Sequence, residues 1–303
     1  MSLIDDILKA SGRRLAERQR SLPIDELKRR AGDAPRARMC FRAALESAPF
    51  SLIAEVKAKS PSSGPMDPSN VSAALSVYNE AASVSAVSIL TDEDYFGGSL
   101  ERLWHARKTT QKPILRKDFI IDEYQVWEAR AHGADAVLLM VDLYREDPSR
   151  LERMFHLVRS LGMDALFELG MRSVATRSDI MPKDAAIWGI NSRRFHTTKL
   201  QVRSTIGRLL GTELSIDSDA HQQLRSQIPR GKLAVAESGI RDHQDLGRLL
   251  DGNYHAALIG TAFLKKGSSV ASVVRNFDEE VRRLTSSTSD VHGFAKVANA
   301  RTA

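Results

Sequence analysis

The sequence has a single cysteine, Cys40, only 6% aromatic residues and no long apolar run. One cysteine excludes an internal disulfide framework and fits a reducing compartment. The opening stretch MSLIDDILKASGRRLAERQ places acidic residues among its apolar positions, which is not typical of a secretory signal. No segment approaches the roughly 20 apolar residues of a membrane-spanning helix. These absences predict a cytoplasmic protein with no membrane association.

The chain also lacks a concentrated charge of one sign. Its net charge is +6, from 44 basic and 38 acidic residues, and segments such as DEDYFGGSLERLWHARK mix both signs. A nucleic-acid module, which would bind with strong salt dependence, is suggested by the positive excess alone, because no basic stripe with interleaved aromatic residues is present. A mild positive excess suits ordinary solubility, and it also suits an enzyme with an anionic small-molecule substrate. No nucleic-acid partner is therefore predicted.

Short β-branched apolar runs alternate with amphipathic helical stretches along most of the chain. Eight runs are predicted as strands, at residues 51–58, 84–91, 113–119, 135–141, 164–169, 185–191, 232–239 and 255–261. Strands buried on both faces and separated by helices indicate a parallel sheet. Eight such units predict an α/β fold of the (β/α)8 barrel class. An open dinucleotide-binding sheet is disfavoured, since no G-x-G-x-x-G follows the first strand.

The predicted barrel has a segment on each side of it. Residues 1–48 are expected to form an N-terminal helical extension that caps the barrel, and residues 49–284 to form the catalytic barrel itself. Residues 285–303 are small, polar and aperiodic, which predicts a flexible C-terminal tail.

Polar side chains stand at the ends of five predicted strands, where barrels of this class carry their catalytic groups. Alternate residues of a strand share a face, so Lys117 continues the row of Leu115 and Glu168 that of Leu166. A single charge at a strand end is more often a solvated rim residue, but five converging strands favour a site. Carboxylates near Lys117 would keep it protonated, as a general acid must be. The residues expected at this mouth are Glu55, Lys57, Lys117, Glu168, Asn191 and Glu237.

Two glycine-bearing stretches, ESGIRDHQDL and LIGTAF, follow the last two predicted strands. Many barrels bind phosphate there through backbone N–H groups, which favours Gly239, Gly260 and Thr261 as a phosphate site; tight turns are the alternative. A third loop, KSPSSGPM at residues 59–66, is long and rich in Ser, Gly and Pro. It predicts a mobile lid from which Ser60 reaches an anion.

Five segments together resemble a known family. IAEVKAKSPSSG, SILTDEDYFGGSLERL, PILRKDFIIDEYQVWEARAHGADAVLL, GINSRRF and VAESGI are similar to indole-3-glycerol phosphate synthase, in order, within a resemblance spanning residues 3–283. The resemblance implies a (β/α)8 carboxy-lyase of tryptophan biosynthesis. Such an enzyme closes the indole ring of 1-(2-carboxyphenylamino)-1-deoxyribulose 5-phosphate and releases CO2 and water. It also implies that no cofactor takes part, and it leaves open an association with other tryptophan-pathway enzymes.

The same resemblance implies residue roles. Lys117 is the general acid that activates the ribulose carbonyl, and Glu168 is the acid/base of the dehydration. Glu55 and Asn191 orient these groups, while Lys57 contacts the substrate and its phosphate. The other implied positions are Ser60 and Arg193 at the anthranilate carboxylate, Phe96 and Phe119 around the aromatic ring, Glu237 and Ser238 at the sugar, and Gly239, Gly260 and Thr261 at the phosphate.

The chain departs from the family pattern at three places. Arg194 and Phe195 follow the Asn-Ser-Arg segment, Gly170 stands where the family commonly has histidine, and an insertion lies around residues 208–230. These departures leave open a catalytically silent or re-targeted paralogue that binds a related phosphorylated metabolite.

Phosphoribosylanthranilate isomerase, a rival barrel enzyme, would need a cysteine acid where this chain has Glu55 and Lys57. The histidines show no metal-ligand spacing, so no metal site is predicted.

Overall fold

Within residues 3–170, 178–195, 214–216 and 220–291, the part of the chain that the computed structural model describes, eight strands close into a barrel. The strands of the described part are β1 (Ser51–Val56), β2 (Lys59–Ser60), β3 (Gly64–Pro65), β4 (Val84–Leu90), β5 (Ile114–Lys117), β6 (Ala136–Met140), β7 (Asp164–Gly170), β8 (Ile187–Asn191), β9 (Arg193–Phe195), β10 (Leu214–Ile216), β11 (Leu233–Glu237) and β12 (Ala256–Ile259). The barrel order is β1-β12-β11-β8-β7-β6-β5-β4. Every neighbouring pair in it is parallel. The predicted (β/α)8 class is confirmed; seven of the predicted runs contain their barrel strand, and β7 extends one residue beyond its run, to Gly170.

Helices connect the strands and cover the outside of the barrel. They are α1 (Leu3–Ser21), α2 (Ile24–Asp33), α3 (Phe41–Glu46), α4 (Pro68–Glu80), α5 (Leu100–Thr109), α6 (Glu123–Ala131), α7 (Pro148–Ser160), α8 (Ala220–Arg225), α9 (Asp245–Asp251), α10 (Thr261–Leu264) and α11 (Val270–Val291). Two of them show the capping rules clearly: Asp122 and Gln125 form a capping box on α6, and Pro148 occupies the first turn of α7 after Asp147. Among the described helices, none has the length and apolarity needed to cross a bilayer.

Two apolar layers lie on opposite faces of the barrel strands. In β1, Ile53 packs inside the barrel with Leu115 and Leu166, whereas Leu52 belongs to the larger layer between strands and helices. This alternation is the two-residue period of a strand, and it confirms the inward rows expected from the sequence. The rows decide which polar side chains enter the mouth at the strand ends.

The N-terminal segment packs against the barrel at two places. Helices α1 and α2 contact α6 through an apolar cluster that includes Leu15, Leu27 and Tyr124. Helix α3 contributes Phe41 and Leu45 to the interior layer near the first residues of the barrel strands. The opposite end of the barrel, at the carboxyl ends of its strands, remains available for a site.

At the C-terminus of the chain, α11 continues beyond the predicted boundary at residue 284 to Val291; residues 292–303 lie outside the described part.

Replacing Gly12 with alanine will raise the free energy of unfolding by about 0.5–1 kcal/mol, because alanine is the better residue in a helix interior. Gly12 lies within α1, and no heavy atom comes within 4 Å of where its Cβ would stand. Urea denaturation followed by circular dichroism measures the change. Gly133→Ala is the contrasting variant, because Gly133 has φ +83° and its Cβ would lie 2.4 Å from Cγ of Arg107. It will destabilise the protein; a stabilising Gly133→Ala or a destabilising Gly12→Ala would contradict this reasoning.

Candidate active site

A cavity of about 190 Å³ opens at the carboxyl-terminal ends of the barrel strands. Of the fourteen site residues expected from the sequence, twelve line it. They are Glu55, Lys57, Phe96, Lys117, Phe119, Glu168, Asn191, Glu237, Ser238, Gly239, Gly260 and Thr261. The two others, Ser60 and Arg193, are treated below. Closure of the barrel therefore brings strand ends that are far apart in the sequence to one mouth, and the alternation along each strand turns these side chains inward.

Lys117 lies at the centre of the charged groups. It is the last residue of β5, where its carbonyl accepts a hydrogen bond from Thr91 N, and its side chain continues the inward row of Leu115. Its Nζ lies 2.9 Å from Oε2 of Glu168 and 3.1 Å from Oε2 of Glu237. Only 16% of its side-chain surface is exposed. The lysine is thus a sheltered cation held between two carboxyl groups.

These distances separate the proton affinities of the three groups. Burial alone would lower the pKa of the Lys117 ammonium, but the carboxylates of Glu168, Glu237 and Glu55 outweigh burial and raise it above its ordinary value. Burial likewise favours protonation of Glu168, yet Lys117 holds its pKa below the usual range. Burial, aided by the neighbouring Glu168 charge, raises the pKa of Glu237. The site therefore combines an ammonium on Lys117 that holds its proton strongly, a Glu168 carboxylate that resists protonation and a Glu237 carboxyl group that binds a proton more readily than usual.

Asn191 and Gly189, both on β8, shape the carboxyl pair. Asn191 Nδ2 donates to Oε1 of Glu168 at 3.1 Å, which leaves the other oxygen of that carboxylate to Lys117. A Cβ on Gly189 would stand 2.0 Å from Oε1 of Glu237. The absence of a side chain at residue 189 is therefore what lets Glu237 reach Lys117.

A second ion pair lies beside the first. Nζ of Lys57 is 2.6 Å from Oε1 of Glu55, and both side chains are buried. Gly260 packs against this pair: a Cβ there would lie 2.2 Å from Oε1 of Glu55 and 3.0 Å from Nζ of Lys57. Gly260 was expected to serve a phosphate, and the structure gives it a further part, because it makes room for the ion pair.

Two phenylalanine rings form an apolar slot next to Lys117. The ring centroids of Phe96 and Phe119 are 6.4 Å apart and the rings are tilted by 39°. Asp92 fixes the loop that carries Phe96, since Oδ1 accepts from the backbone N–H of Tyr95 at 2.7 Å and of Phe96 at 3.0 Å. Leu138, Met140, Leu258 and Ile240 also line the cavity. A flat aromatic group fits such a slot better than a polar one does.

The loops after β11 and β12 form the other side of the cavity. Ser238 and Gly239 both have positive φ, +64° and +77°, so the chain folds back directly after Glu237. Glycine adopts this conformation freely, whereas Ser238 holds it at a cost of order 1 kcal/mol. Arg241 and Lys265 line this side of the cavity as well. Glycine residues, which have no side chain to cover their backbone N–H groups, together with the cations Arg241 and Lys265, make this side of the cavity the one best suited to bind an anion.

The predicted lid contains a short antiparallel pair, β2 with β3. Ser60 is buried there and its hydroxyl lies 2.9 Å from that of Ser62, while Ser62 and Ser63 are the lid serines that line the cavity. Arg193 belongs to β9, whose backbone pairs with β10, but its side chain lies outside the described part, as do those of Arg194 and Phe195. Of the insertion around residues 208–230, residues 208–213 and 217–219 lie outside it too, whereas β10 and α8 lie within it.

Several site residues were missed at the sequence level. Leu138 and Met140 could have been found, because they form the inward row of β6 and the same alternation identified Lys117. Arg241 lies within the first glycine-bearing stretch and Lys265 follows the second, and in the sequence neither differs in any visible way from a surface cation. Among the described residues, no three His, Cys, Asp or Glu side chains are grouped so as to hold a metal ion.

Comparison with known proteins gives a consistent set of relatives. The family model described as indole-3-glycerol phosphate synthase matches residues 4–277. A protein of that name from Saccharopolyspora erythraea is 35% identical over 275 residues, covering 91% of this chain and 94% of that protein. Another from Parafrankia sp. is 37% identical over 267 residues, covering 88% and 92%. The matched region includes every residue placed in the cavity.

Solved structures share the architecture at much lower identity. N-(5′-phosphoribosyl)anthranilate isomerase from Pyrococcus furiosus is similar with a TM-score of 0.52 and 10% identity, covering 77% of this chain and 99% of that chain. A mutant tryptophan synthase alpha-subunit from the same organism has a TM-score of 0.50 at 16% identity, covering 77% and 97%. Likeness at this level concerns the barrel and not the reaction.

Proposed function

The chain belongs to the indole-3-glycerol phosphate synthase family, and from this premise we propose that it closes the indole ring of 1-(2-carboxyphenylamino)-1-deoxyribulose 5-phosphate with release of CO2 and water. The observation that carries the proposal is Lys117, an ammonium held between Glu168 and Glu237 beside an aromatic slot. Ring closure needs a proton donor at a carbonyl oxygen, and an apolar wall around the reacting ring keeps water away from it.

The substrate has three parts that match three sides of the cavity. Its aromatic ring enters the slot of Phe96 and Phe119, with the carboxylate toward Arg193 and the lid serine Ser62, whose hydroxyl lies 2.9 Å from that of Ser60. Its sugar chain passes Glu237 and Ser238, and its phosphate lies at Gly239, Gly260 and Thr261. Anchoring both ends of the substrate brings the ring carbon near the ketone carbon, which removes much of the entropic barrier to closure.

Lys117 then acts on the ketone. It donates a proton to the carbonyl oxygen while the ring carbon that bears the carboxylate attacks the carbonyl carbon, so a C–C bond and a hydroxyl group form together. The new bond breaks the aromaticity of the ring, and loss of CO2 restores it because the electron pair of the C–CO2 bond returns to the ring. In the last step the hydroxyl and a proton leave as water.

Glu168 is the base placed to take that last proton. Lys117 keeps it ionised, and Asn191 holds its second oxygen at 3.1 Å. Glu55 orients Lys57, whose cation faces the substrate side of Gly260. Glu237, whose pKa is raised by burial, lies next to Lys117 and supports the sugar hydroxyls. The protein groups supply the acid and the base, so the scheme calls for no cofactor.

We also propose that the reaction takes place in the cytoplasm and that the chain associates with neighbouring enzymes of tryptophan biosynthesis. The free Cys40, which is exposed, suits a reducing compartment. Enzymes that make the anionic substrate and consume the indole product are the natural partners of this site.

Incubation of the purified protein with 1-(2-carboxyphenylamino)-1-deoxyribulose 5-phosphate tests the proposal. Indole fluorescence will appear, with one CO2 released for each indole formed. Tight binding of the substrate with neither fluorescence nor CO2 would instead favour a catalytically silent paralogue. Absence of both binding and turnover would mean that the cavity serves another phosphate ester.

A further inference from the structure

Arg116, the residue before Lys117, is a fully buried cation with a hydrogen-bond partner at each of its three guanidinium nitrogens. Because strand residues alternate, its side chain points away from the barrel interior, toward the helices. Its Nε donates to Oγ1 of Thr91 at 3.0 Å, and its Nη1 donates to the carbonyl oxygen of Gln125 at 2.7 Å. Its Nη2 lies 2.8 Å from Oδ2 of Asp118. The two residues that flank Lys117 are thus tied to each other.

The contacts continue outward from the barrel to the N-terminal helix. Nη1 of Arg116 lies 3.3 Å from Oε2 of Glu128 on α6, and Oε1 of Glu128 accepts from Nε of Arg18 on α1 at 2.6 Å. Glu128 and Arg116 are buried, whereas 27% of the Arg18 side chain is exposed. We call Arg18, Glu128, Arg116 and Asp118 the Arg116 chain.

The Arg116 chain has the geometry of a clamp on the end of β5. A guanidinium is planar and fixes the direction of each hydrogen bond that it donates, so Arg116 allows little rotation of the strand end. Asp118 acts on the next turn of backbone, where its Oδ1 accepts from Phe119 N at 2.8 Å. The backbone on both sides of Lys117 is therefore held from outside the barrel, and Phe119, a wall of the aromatic slot, is held with it.

We propose that the Arg116 chain is a positioning device for the reaction, which fixes Lys117 between Glu168 and Glu237 and makes turnover depend on a contact with α1. This inference rests on the proposed function, in which Lys117 is the general acid. None of the chain members except Asp118 lines the cavity. Arg18, Glu128 and Arg116 are accordingly positioning residues, and they act through Lys117.

A buried ion pair at the other end of the same strand provides the matched control. Oδ2 of Asp135 lies 2.7 Å from Nη1 of Arg107 and also accepts from Ile114 N at 2.9 Å, at the start of β5. This pair is buried like the Arg116 chain but lies away from Lys117. Asp135→Asn will lower the melting temperature and leave kcat within about twofold of the wild type, because the strand end at Lys117 keeps its own contacts.

Two variants of the intact protein, Arg18→Met and Glu128→Gln, test the proposal. Both will lower kcat by about 10- to 100-fold with KM changed little, because a displacement of order 1 Å in a catalytic group costs about this much. The alkaline limb of the kcat–pH profile will also move to lower pH. The carboxylates of Glu168 and Glu237 raise the pKa of the Lys117 ammonium, and they will raise it less when Lys117 is displaced from them. Arg18 is partly exposed, so Arg18→Met gives a folded variant even where Glu128→Gln does not.

A readout that needs no turnover separates this inference from the proposed function. The rate of Lys117 acetylation by acetic anhydride, followed by mass spectrometry against pH, reports the proton affinity of its amine. It will rise in Arg18→Met and Glu128→Gln and stay unchanged in Asp135→Asn. If the two variants lose only thermal stability, with wild-type kcat and acetylation rates, the positioning role is wrong although the activity stands. If the wild-type protein shows no turnover, the proposed activity is wrong. The acetylation rates still decide whether the Arg116 chain holds Lys117 in place.

Discussion

Lys117→Met lowers kcat by at least about a hundredfold, because it removes the proposed proton donor to the ketone and general acids contribute about 10²- to 10⁴-fold. Methionine keeps most of the length and the apolar stem of lysine, so the aromatic slot beside it stays filled. The anion-binding groups at the two ends of the substrate are untouched, and KM will change much less than kcat. Steady-state kinetics followed by indole fluorescence measures both parameters.

Lys117→Arg is the companion variant to Lys117→Met, because it separates charge from proton donation. Arginine keeps a cation between Glu168 and Glu237 but does not release its proton in the accessible pH range. It will therefore restore folding stability relative to Lys117→Met, since it again neutralises the buried carboxylates, without restoring kcat. Recovery of kcat in Lys117→Arg would mean that charge alone is needed at this position. Wild-type kcat in Lys117→Met would mean that Lys117 is not the proton donor.

The position of the charged mouth could be predicted from the sequence because it follows from two local rules. A strand residue and the one two positions later share a face, and barrels of parallel strands carry their sites at the carboxyl ends. Lys117, Glu168 and Glu237 obey both rules, so their meeting within about 3 Å needed no knowledge of their distance in space. The same rules would have identified Leu138 and Met140.

The supporting contacts could not be predicted, because they depend on elements far apart in the chain. Arg116 looks like a solvated rim residue in the sequence, and only the packing of α6 and α1 reveals Glu128 and Arg18 as the partners that make its burial tolerable. The lid gives a similar case at short range. Its serines were expected from composition, but only the structure shows that Ser62, in the turn between β2 and β3, lines the cavity, whereas Ser60 is buried and does not.

Gly189 shows the same limit in the active site itself. From the sequence, Gly189 can be assigned only to the inward row of β8. In the strand pairing it lies directly beside Glu168. The need for glycine becomes visible only when Glu237 is seen to lie across it, with Oε1 at 2.0 Å from the point where a Cβ would stand. Real Cβ atoms do not approach an oxygen so closely, so any side chain at residue 189 must displace the carboxyl group.

Gly189→Ala will accordingly lower kcat by about 10- to 100-fold, because moving Glu237 by of order 1 Å alters the support of Lys117 and the sugar contact together. Glu237 has little freedom to move elsewhere, since Lys117 lies on one side of it and Leu166 stands 3.3 Å from the same added methyl group. Folding stability will fall less, because the clash involves the end of a side chain and not the backbone. Kinetics and urea denaturation of the same preparation measure the two effects.

A double-variant cycle decides whether Gly189→Ala acts through Glu237. Glu237→Ala removes the carboxyl group and leaves room for a methyl group at residue 189, so Gly189→Ala added to Glu237→Ala will reduce kcat little further. Two changes that act on one contact are not additive, whereas independent ones are additive in free energy. Full additivity would mean that the alanine disturbs the barrel strand itself. Non-additivity would place the need for glycine at residue 189 in the carboxyl group that shares the proton network of Lys117.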